Sequence, residues 1–295
     1  MKRRKLLILT SVGGLGLALA SHKYLTAQDP LSLESCPDIA SEKSLPLLRF
    51  AALGDIGTGD EKQYKVAKIM SCYFKLNPFS LVLLAGDNIY RNGEIKKIAA
   101  TFEKPYHELL QQNVNFYAVL GNHDIRSNNG IPQIRYPGFN MQGRYYSFTR
   151  GPVQFFALNS NPEAGWSKQL VWLEEKLAES QQPWKVVFGH HQMYSSGKYG
   201  VNQELIERLK PLFSRYNVQL YINGHEHHYE RTQPIKGTTY LTCGAGAKLR
   251  PVGESDWTAH AVSRLSFAGV EVYSDRLEIC GIGTDGQVFD RGIIS

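Results

Sequence analysis

Three features of this 295-residue chain predict an α/β fold. Short apolar, β-compatible runs alternate with segments whose apolar residues recur at helical spacing, the pattern of strand–helix units. Five of those runs stop at a glycine followed at once by Asp, Asn or His. With 42% apolar and 20% charged residues, the chain has the composition of a folded protein, long enough for one large domain or two small ones.

Residues 47–53 form the first strand, which stops at Gly54-Asp55. Val66, Ile69, Met70 and Tyr73 then recur at helical spacing, with Pro78 beyond the end. Residues 81–85 are a buried strand stopping at Gly86-Asp87-Asn88, and a helix is expected over about 95–111. Residues 115–120 form a strand stopping at Gly121-Asn122-His123-Asp124, and 145–148 with 153–158 read as a β-pair across Gly151-Pro152. Leu170, Leu173 and Leu177 mark a helix, and 184–188 is a strand ending at Gly189-His190. A helix over 203–213 leads to a strand at 218–222, which ends at Gly224-His225-Glu226-His227. Residues 239–242, 267–273 and 277–282 read as terminal strands.

The first 27 residues form a separate unit. Lys2 to Lys5 make a basic start, residues 6–20 an apolar stretch too short to span a membrane comfortably, and Ala18-Leu19-Ala20 and Ala27 offer small residues for cleavage. This is the pattern of a secretory signal peptide, and Arg3-Arg4 matches part of a twin-arginine signal. Residues 28–46, with Pro30, Pro37 and Pro46, read as a linker, and 47–295 as the folded domain. Export to the periplasm or the exterior follows, without stable membrane insertion once the signal is removed. No run of about 18 strongly apolar residues occurs, which excludes a polytopic membrane protein.

The signal also explains the charge. The chain carries 33 Lys and Arg against 27 Asp and Glu, a net of +6. Five of the bases and none of the acids fall in the first 27 residues, so the rest carries 28 against 27, a net of +1. A nucleic-acid-binding body is therefore disfavoured. The four cysteines, Cys36, Cys72, Cys243 and Cys280, have no C-x-x-C spacing, which argues against a zinc ribbon or a dithiol redox pair. They are compatible with one or two disulfides or with buried small side chains.

In α/β sheets ligands bind beyond the carboxyl ends of the strands, so the five Gly-terminated ends could meet in one crevice. They would bring together Asp55, Asp87, Tyr90, Asn122, His123, Asp124, His190, His225 and His227. Taken singly, a Gly-Asp pair is an ordinary turn; five such endings in succession are not explained that way. Carboxylates and imidazoles without thiolates suit zinc, iron or manganese better than a soft copper site. His225 and His227 share a face if the segment stays extended, or approach two metals if it bends. His191 and His228 adjoin candidate ligands and are expected behind them.

The ordered set Gly54-Asp55-Ile56-Gly57, Gly86-Asp87-Asn88-Ile89-Tyr90, Gly121-Asn122-His123-Asp124, Gly189-His190 and Gly224-His225-Glu226-His227 resembles the calcineurin-like metallophosphoesterases. Tyr90, three residues after Asp87, narrows the resemblance to the purple acid phosphatases of the small tartrate-resistant type. The resemblance implies a four-layer α/β/β/α sandwich of two mixed sheets with metal-binding loops at the strand ends. By it, Asp55, Asp87, Tyr90 and His227 would hold a ferric ion. Asp87 would bridge to a divalent iron, zinc or manganese held also by Asn122, His190 and His225. The implied reaction is hydrolysis of a small phosphate monoester by a metal-activated hydroxide, with His123 facing the substrate or leaving group and Asp124 orienting it. Two such ions over three anionic ligands and a hydroxide leave roughly one positive charge for the phosphate. A departure concerns proton donation: acid phosphatases of this type often carry a further histidine in the loop after Gly189-His190. Here that loop reads Ser195-Ser196-Gly197-Lys198-Tyr199-Gly200, leaving Tyr199 or Lys198 to stand in. The rival readings are a phosphodiesterase, nucleotidase or pyrophosphatase with two divalent metals, and a metal-binding protein without turnover.

Overall fold

The computed structural model describes residues 36–37 and 45–295. The signal segment and most of the linker lie outside the described residues.

Alternation along the strands decides how the layers stack, because successive side chains point to opposite faces. In strand β1 (Leu48–Leu53), Phe50 and Ala52 join one buried cluster while Ala51 and Leu53 join another. The first cluster also takes Leu83, Phe155, Phe188 and Ile222, and fills the space between two sheets. Phe50 meets Phe155 edge to face across that space, with ring centroids 5.2 Å apart.

One sheet has six strands. β1, β2 (Leu81–Leu84) and β3 (Asn115–Ala118) run parallel, while β11 (Ser266–Val272), β12 (Leu277–Gly283) and β13 (Val288–Ile294) continue antiparallel from the other side of β1. The other has seven strands. β5 (Val153–Ala157), β6 (Trp184–Phe188), β7 (Leu220–Asn223) and β9 (Thr239–Cys243) run parallel in that spatial order. β4 (Tyr146–Arg150) closes one edge antiparallel, and β8 (Tyr229–Thr232) with β10 (Thr258–Val262) closes the other. Helix α1 (Glu61–Leu76) packs Val66, Ile69 and Met70 on the outer face of the six-stranded sheet. Two short helices, α2 (His107–Gln111) and α3 (Ile131–Ile134), lie within the connections around β3. Helices α4 (Trp166–Glu179) and α5 (Gln203–Arg215) cover the other sheet through Leu173, Leu177, Leu209 and Phe213. The result is the four-layer α/β/β/α sandwich expected above.

Local chemistry sets the helix starts. Asp60 caps α1 by accepting from the backbone of Lys62 and Gln63, and Gln63 reaches back to the Gly59 N–H at 2.7 Å. Asn202 caps α5 through the Leu205 N–H. Cys36 is disulfide-bonded to Cys72 of α1, while Cys243 and Cys280 are buried thiols.

The single helix expected over 95–111 is replaced by a 3-10 turn (Ile95–Lys97), a π turn (Ala99–Glu103) and α2. Pro105 lies at the break between the π turn and α2, where it has no N–H to donate to the helical ladder. Strands β8, β10 and β13 were not foreseen. Among the described residues no helix is long and apolar enough to cross a membrane.

Candidate metal centre

The parallel strands of both sheets deliver their carboxyl ends to one crevice, and the two sheets contribute different chemistry. Asp55, Asp87 with Tyr90, and Asn122 follow β1, β2 and β3 of one sheet; His190 follows β6, and His225 and His227 follow β7, of the other. Asp55, Asp87 and His225 all have positive φ (58°, 53° and 65°). Non-glycine residues held there are strained, and such strain concentrates where function demands a particular side-chain direction.

The preceding glycines are needed for space as much as for turning. A Cβ on Gly86 would stand 2.6 Å from Nδ1 of His190, one on Gly224 would stand 2.5 Å from Asp55 Oδ2, and one on Gly121 would strike the Asp87 carboxylate. Each glycine thus clears room for a polar side chain from a different strand end.

The seven metal-ligand candidates come together in two touching groups. In the first, the Tyr90 hydroxyl donates to Asp55 Oδ1 at 2.8 Å, and His227 Nε2 lies 3.2 Å from that oxygen and 3.4 Å from the hydroxyl. In the second, His190 Nε2 lies 3.1 Å from Asn122 Oδ1, 3.2 Å from His225 Nδ1 and 3.5 Å from Asp87 Oδ1. Ligand atoms of Asp55, Asp87 and His190 all lie within 4.8 Å of one another, which joins the groups. His225 and His227 therefore diverge into separate groups, as a bent segment allows.

The donor set fits a pair of hard or borderline cations. His190 Nδ1 is 2.8 Å from the Ala85 carbonyl, which fixes its proton there and leaves Nε2 bare toward the crevice, the arrangement metal-binding imidazoles use. Burial pushes the Asp55 carboxyl up, but the His227 hydrogen bond and the charge of His190 outweigh it and hold Asp55 well below the usual carboxylate range. Burial pulls His190 down, while Asp87 and Asp55 raise it to a net value above an ordinary imidazole. His225 is lowered to about 3 by burial and by His190. Burial and the charges of Asp55 and Asp87 drive the Tyr90 phenol far above its usual value. Tyr90 is thus a neutral donor to Asp55, and a cation bound there would displace that proton.

His123 and Asp124 part company. His123 is partly exposed: its Nδ1 is 2.6 Å from the Arg91 carbonyl, its Nε2 is 3.9 Å from Asp87 Oδ2, and its ring meets Tyr90 edge-on at 4.7 Å. Asp124 is fully buried and turned away. It accepts from the backbone of Gly121, Asn88 and Ile89 and from the Asn88 and Gln133 amides. Burial and the Asp87 charge raise its carboxyl to about 7. The group holding the His123 ring is therefore the Arg91 carbonyl, and Asp124 organises the loops that carry Asp87 and Asn122.

Three neighbours went unnoticed or underrated in the sequence. The Lys248 ammonium lies 3.4 Å above the Tyr90 ring centroid. His191 offers a ligand atom within 4.8 Å of those of His190 and His225, with Ser160 Oγ 2.9 Å from its Nδ1. Tyr199 stacks on the His225 ring at 4.5 Å. A signal for Lys248 did exist: β9 also ends at a glycine, Gly244, in the run Gly244-Ala245-Gly246-Ala247-Lys248. His228, by contrast, is fully buried beside Glu230, at 3.3 Å.

Comparison with known proteins agrees with this architecture. Purple acid phosphatase 7 of Arabidopsis thaliana is 31% identical over 250 residues, covering 73% of this chain and 75% of that protein. Tartrate-resistant acid phosphatase type 5 of Oryctolagus cuniculus is 27% identical over 249 residues, covering 72% and 76%. Among solved structures, GAP50, the anchor in the inner membrane complex of Plasmodium, superposes with a TM-score of 0.72 at 20% identity, covering 85% of this chain and 89% of that one. The family described as calcineurin-like phosphoesterase matches residues 48–229, a span that begins at β1, ends in β8 and takes in every residue of the two groups above. A match of that extent, over a two-sheet sandwich with acidic and imidazole side chains gathered at its strand ends, makes this chain a member of the calcineurin-like metallophosphoesterases, hydrolases built around a dinuclear metal centre.

Proposed function

We propose that the chain is an acid phosphatase that hydrolyses phosphate monoesters at a centre of one ferric ion and one divalent ion, iron, zinc or manganese. Asp55, Asp87, Tyr90 and His227 would hold the ferric ion, and Asn122, His190 and His225, with Asp87 shared, the divalent one. The observation that carries this reading is the Tyr90 hydroxyl within hydrogen-bonding reach of both Asp55 and His227. A phenolate is a hard anionic donor suited to a trivalent ion. When bound, the metals would neutralise the phosphate oxygens and activate water for in-line attack at phosphorus.

The chain's own groups do the rest. Accepting from His123 Nδ1–H, the Arg91 carbonyl leaves Nε2 as the atom that can face a substrate oxygen and pass a proton to a leaving group. Lys248, above the Tyr90 ring, places a positive charge beside the anionic ligands. Asn122, neutral where a carboxylate could stand, keeps the site attractive to a dianion. The Cys36–Cys72 disulfide supports an exported protein with residues 1–27 as a cleaved signal.

Metal analysis, a visible spectrum and hydrolysis of p-nitrophenyl phosphate by the purified protein test the proposal together. The expected result is iron with a second metal, turnover, and a visible band that disappears in Tyr90→Phe. A colourless protein with two zinc ions would point instead to a phosphodiesterase, nucleotidase or pyrophosphatase. A metal-loaded protein with no turnover on any phosphoester would be a metal-binding protein.

A further inference from the structure

Beside the candidate centre lies a cavity of about 570 Å3 lined by Gly197, Lys198, Arg250, Pro251, Val252 and Gly253. The metal groups do not use it. One wall comes from the loop after β6 and the other from the loop after β9, and the Gly253 N–H joins them through the Ser196 carbonyl at 3.0 Å.

The cavity is tied to the centre by direct bonds. The backbone N–H of Arg250 donates to the His227 carbonyl at 2.8 Å, and its Nη1 donates to the His225 carbonyl at 3.0 Å. The Tyr199 ring connects the two cations of the cavity to the His225 ring. It stacks on that ring at 4.5 Å, and the Arg250 guanidinium lies 5.0 Å and the Lys198 ammonium 5.4 Å from its centroid. A molecule with one end at the metals would therefore cross the Tyr199 ring and meet two cations.

Charge gives the cavity a sign. No acidic side chain lines it. The buried carboxylate of Glu226, 3.9 Å from Arg250, offsets part of the guanidinium charge from beneath. Lys198 is exposed and makes no ion pair among the described residues. On a body of almost no net charge, two cations across one aromatic ring from a phosphate-binding centre are a local feature, and they need an anion at a set distance from the scissile phosphate.

We propose that this cavity binds a second phosphate on the alcohol portion of the substrate, so that the preferred esters are small bisphosphorylated molecules. The Tyr199 ring supports the carbon skeleton, and Lys198 and Arg250 take the distal phosphate. This assignment rests on the phosphatase reading above and narrows its substrate class.

The test compares fructose 1-phosphate with fructose 1,6-bisphosphate on the metal-loaded enzyme, with phenyl phosphate as a reference. Exposed charge pairs are individually weak, so two cations should raise kcat/KM for the bisphosphate about tenfold over the monophosphate. That preference should shrink as ionic strength rises. Lys198→Ala should lower it severalfold and Lys198→Glu should abolish or invert it, a surface change that spares the Arg250 contacts with the ligand loop. Equal kcat/KM for the two fructose esters, or a preference unaltered in Lys198→Glu, would overturn the assignment while leaving the phosphatase reading intact. Absence of hydrolysis of all three esters, phenyl phosphate included, would overturn the phosphatase reading and this assignment with it.

Discussion

Gly86→Ala tests whether the strand-end glycines serve by lacking a side chain. The new methyl carbon would lie 2.6 Å from Nδ1 and 2.8 Å from Cβ and Cγ of His190, a ring with no solvent exposure and a bond to the Ala85 carbonyl. No flexible tip can yield, so the imidazole or the strand must move. Overpacking of this kind costs about 1–3 kcal/mol. The position also has φ of +81°, where a Cβ adds about 1–2 kcal/mol. Together these amount to about 2–5 kcal/mol, or roughly 5–15 °C in Tm for a domain of this size. Thermal unfolding of the chelator-treated protein reads the stability loss, and metal analysis after reloading reads the displacement of His190 as reduced occupancy of one ion. A variant with unchanged Tm and full occupancy would refute the steric argument and reduce Gly86 to an ordinary turn residue.

Three further outcomes are expected. His123→Ala should lower kcat by about a hundredfold or more with both metals still bound, measured by steady-state kinetics beside metal analysis; loss of metal instead would make His123 a ligand. Asp290 accepts from Tyr229 and from two nitrogens of Arg231, linking β13 to β8 across the sandwich. Burial raises this carboxyl, but those bonds outweigh it and hold it below its usual value, so its contribution is present above the unfolded carboxylate range and fades as pH falls through the folded value. Asp290→Ala should cost about 3 kcal/mol in urea unfolding at neutral pH, with the gap to wild type narrowing in acid; a gap independent of pH would count against the pair. Cys72→Ser opens a loop with a sequence separation of 36 residues and should destabilise the domain by roughly 3–4 kcal/mol, read as a lower denaturation midpoint that reductant does not lower further.

The sequence disclosed those parts of the molecule whose chemistry is local. A glycine, a polar residue and the apolar run before them lie within a few positions, so the five strand ends and the residues they gather could be read directly. The same locality misled over Asp124. Adjacency to His123 suggested a partnership, yet the chain enters a 3-10 turn there (Asp124–Arg126), and successive side chains diverge by about 120° in such a turn. Asp124 is sent inward and His123 outward. Lys248 escaped, and Tyr199 was noticed as a stand-in proton donor but not as a ring stacked on His225, because both placements come from which loops the second sheet brings together. Strand β8, with the sequence Tyr-Glu-Arg-Thr, carries no apolar alternation, and its pairing to β9 depends on tertiary context.

The four candidate oxygen ligands belong to one sheet and its loops, and the three candidate imidazole ligands belong to the other. A cation held by both groups would therefore act as a rivet through the mouth of the sandwich. Because the candidate ligands are divided between the sheets, the complete set would form only after the layers have docked, and mass action would return metal affinity as resistance to their separation. At a free metal concentration a hundred times the dissociation constant, one ion adds about 2.7 kcal/mol. Scavenging the metals would silence turnover and loosen the seam in one step.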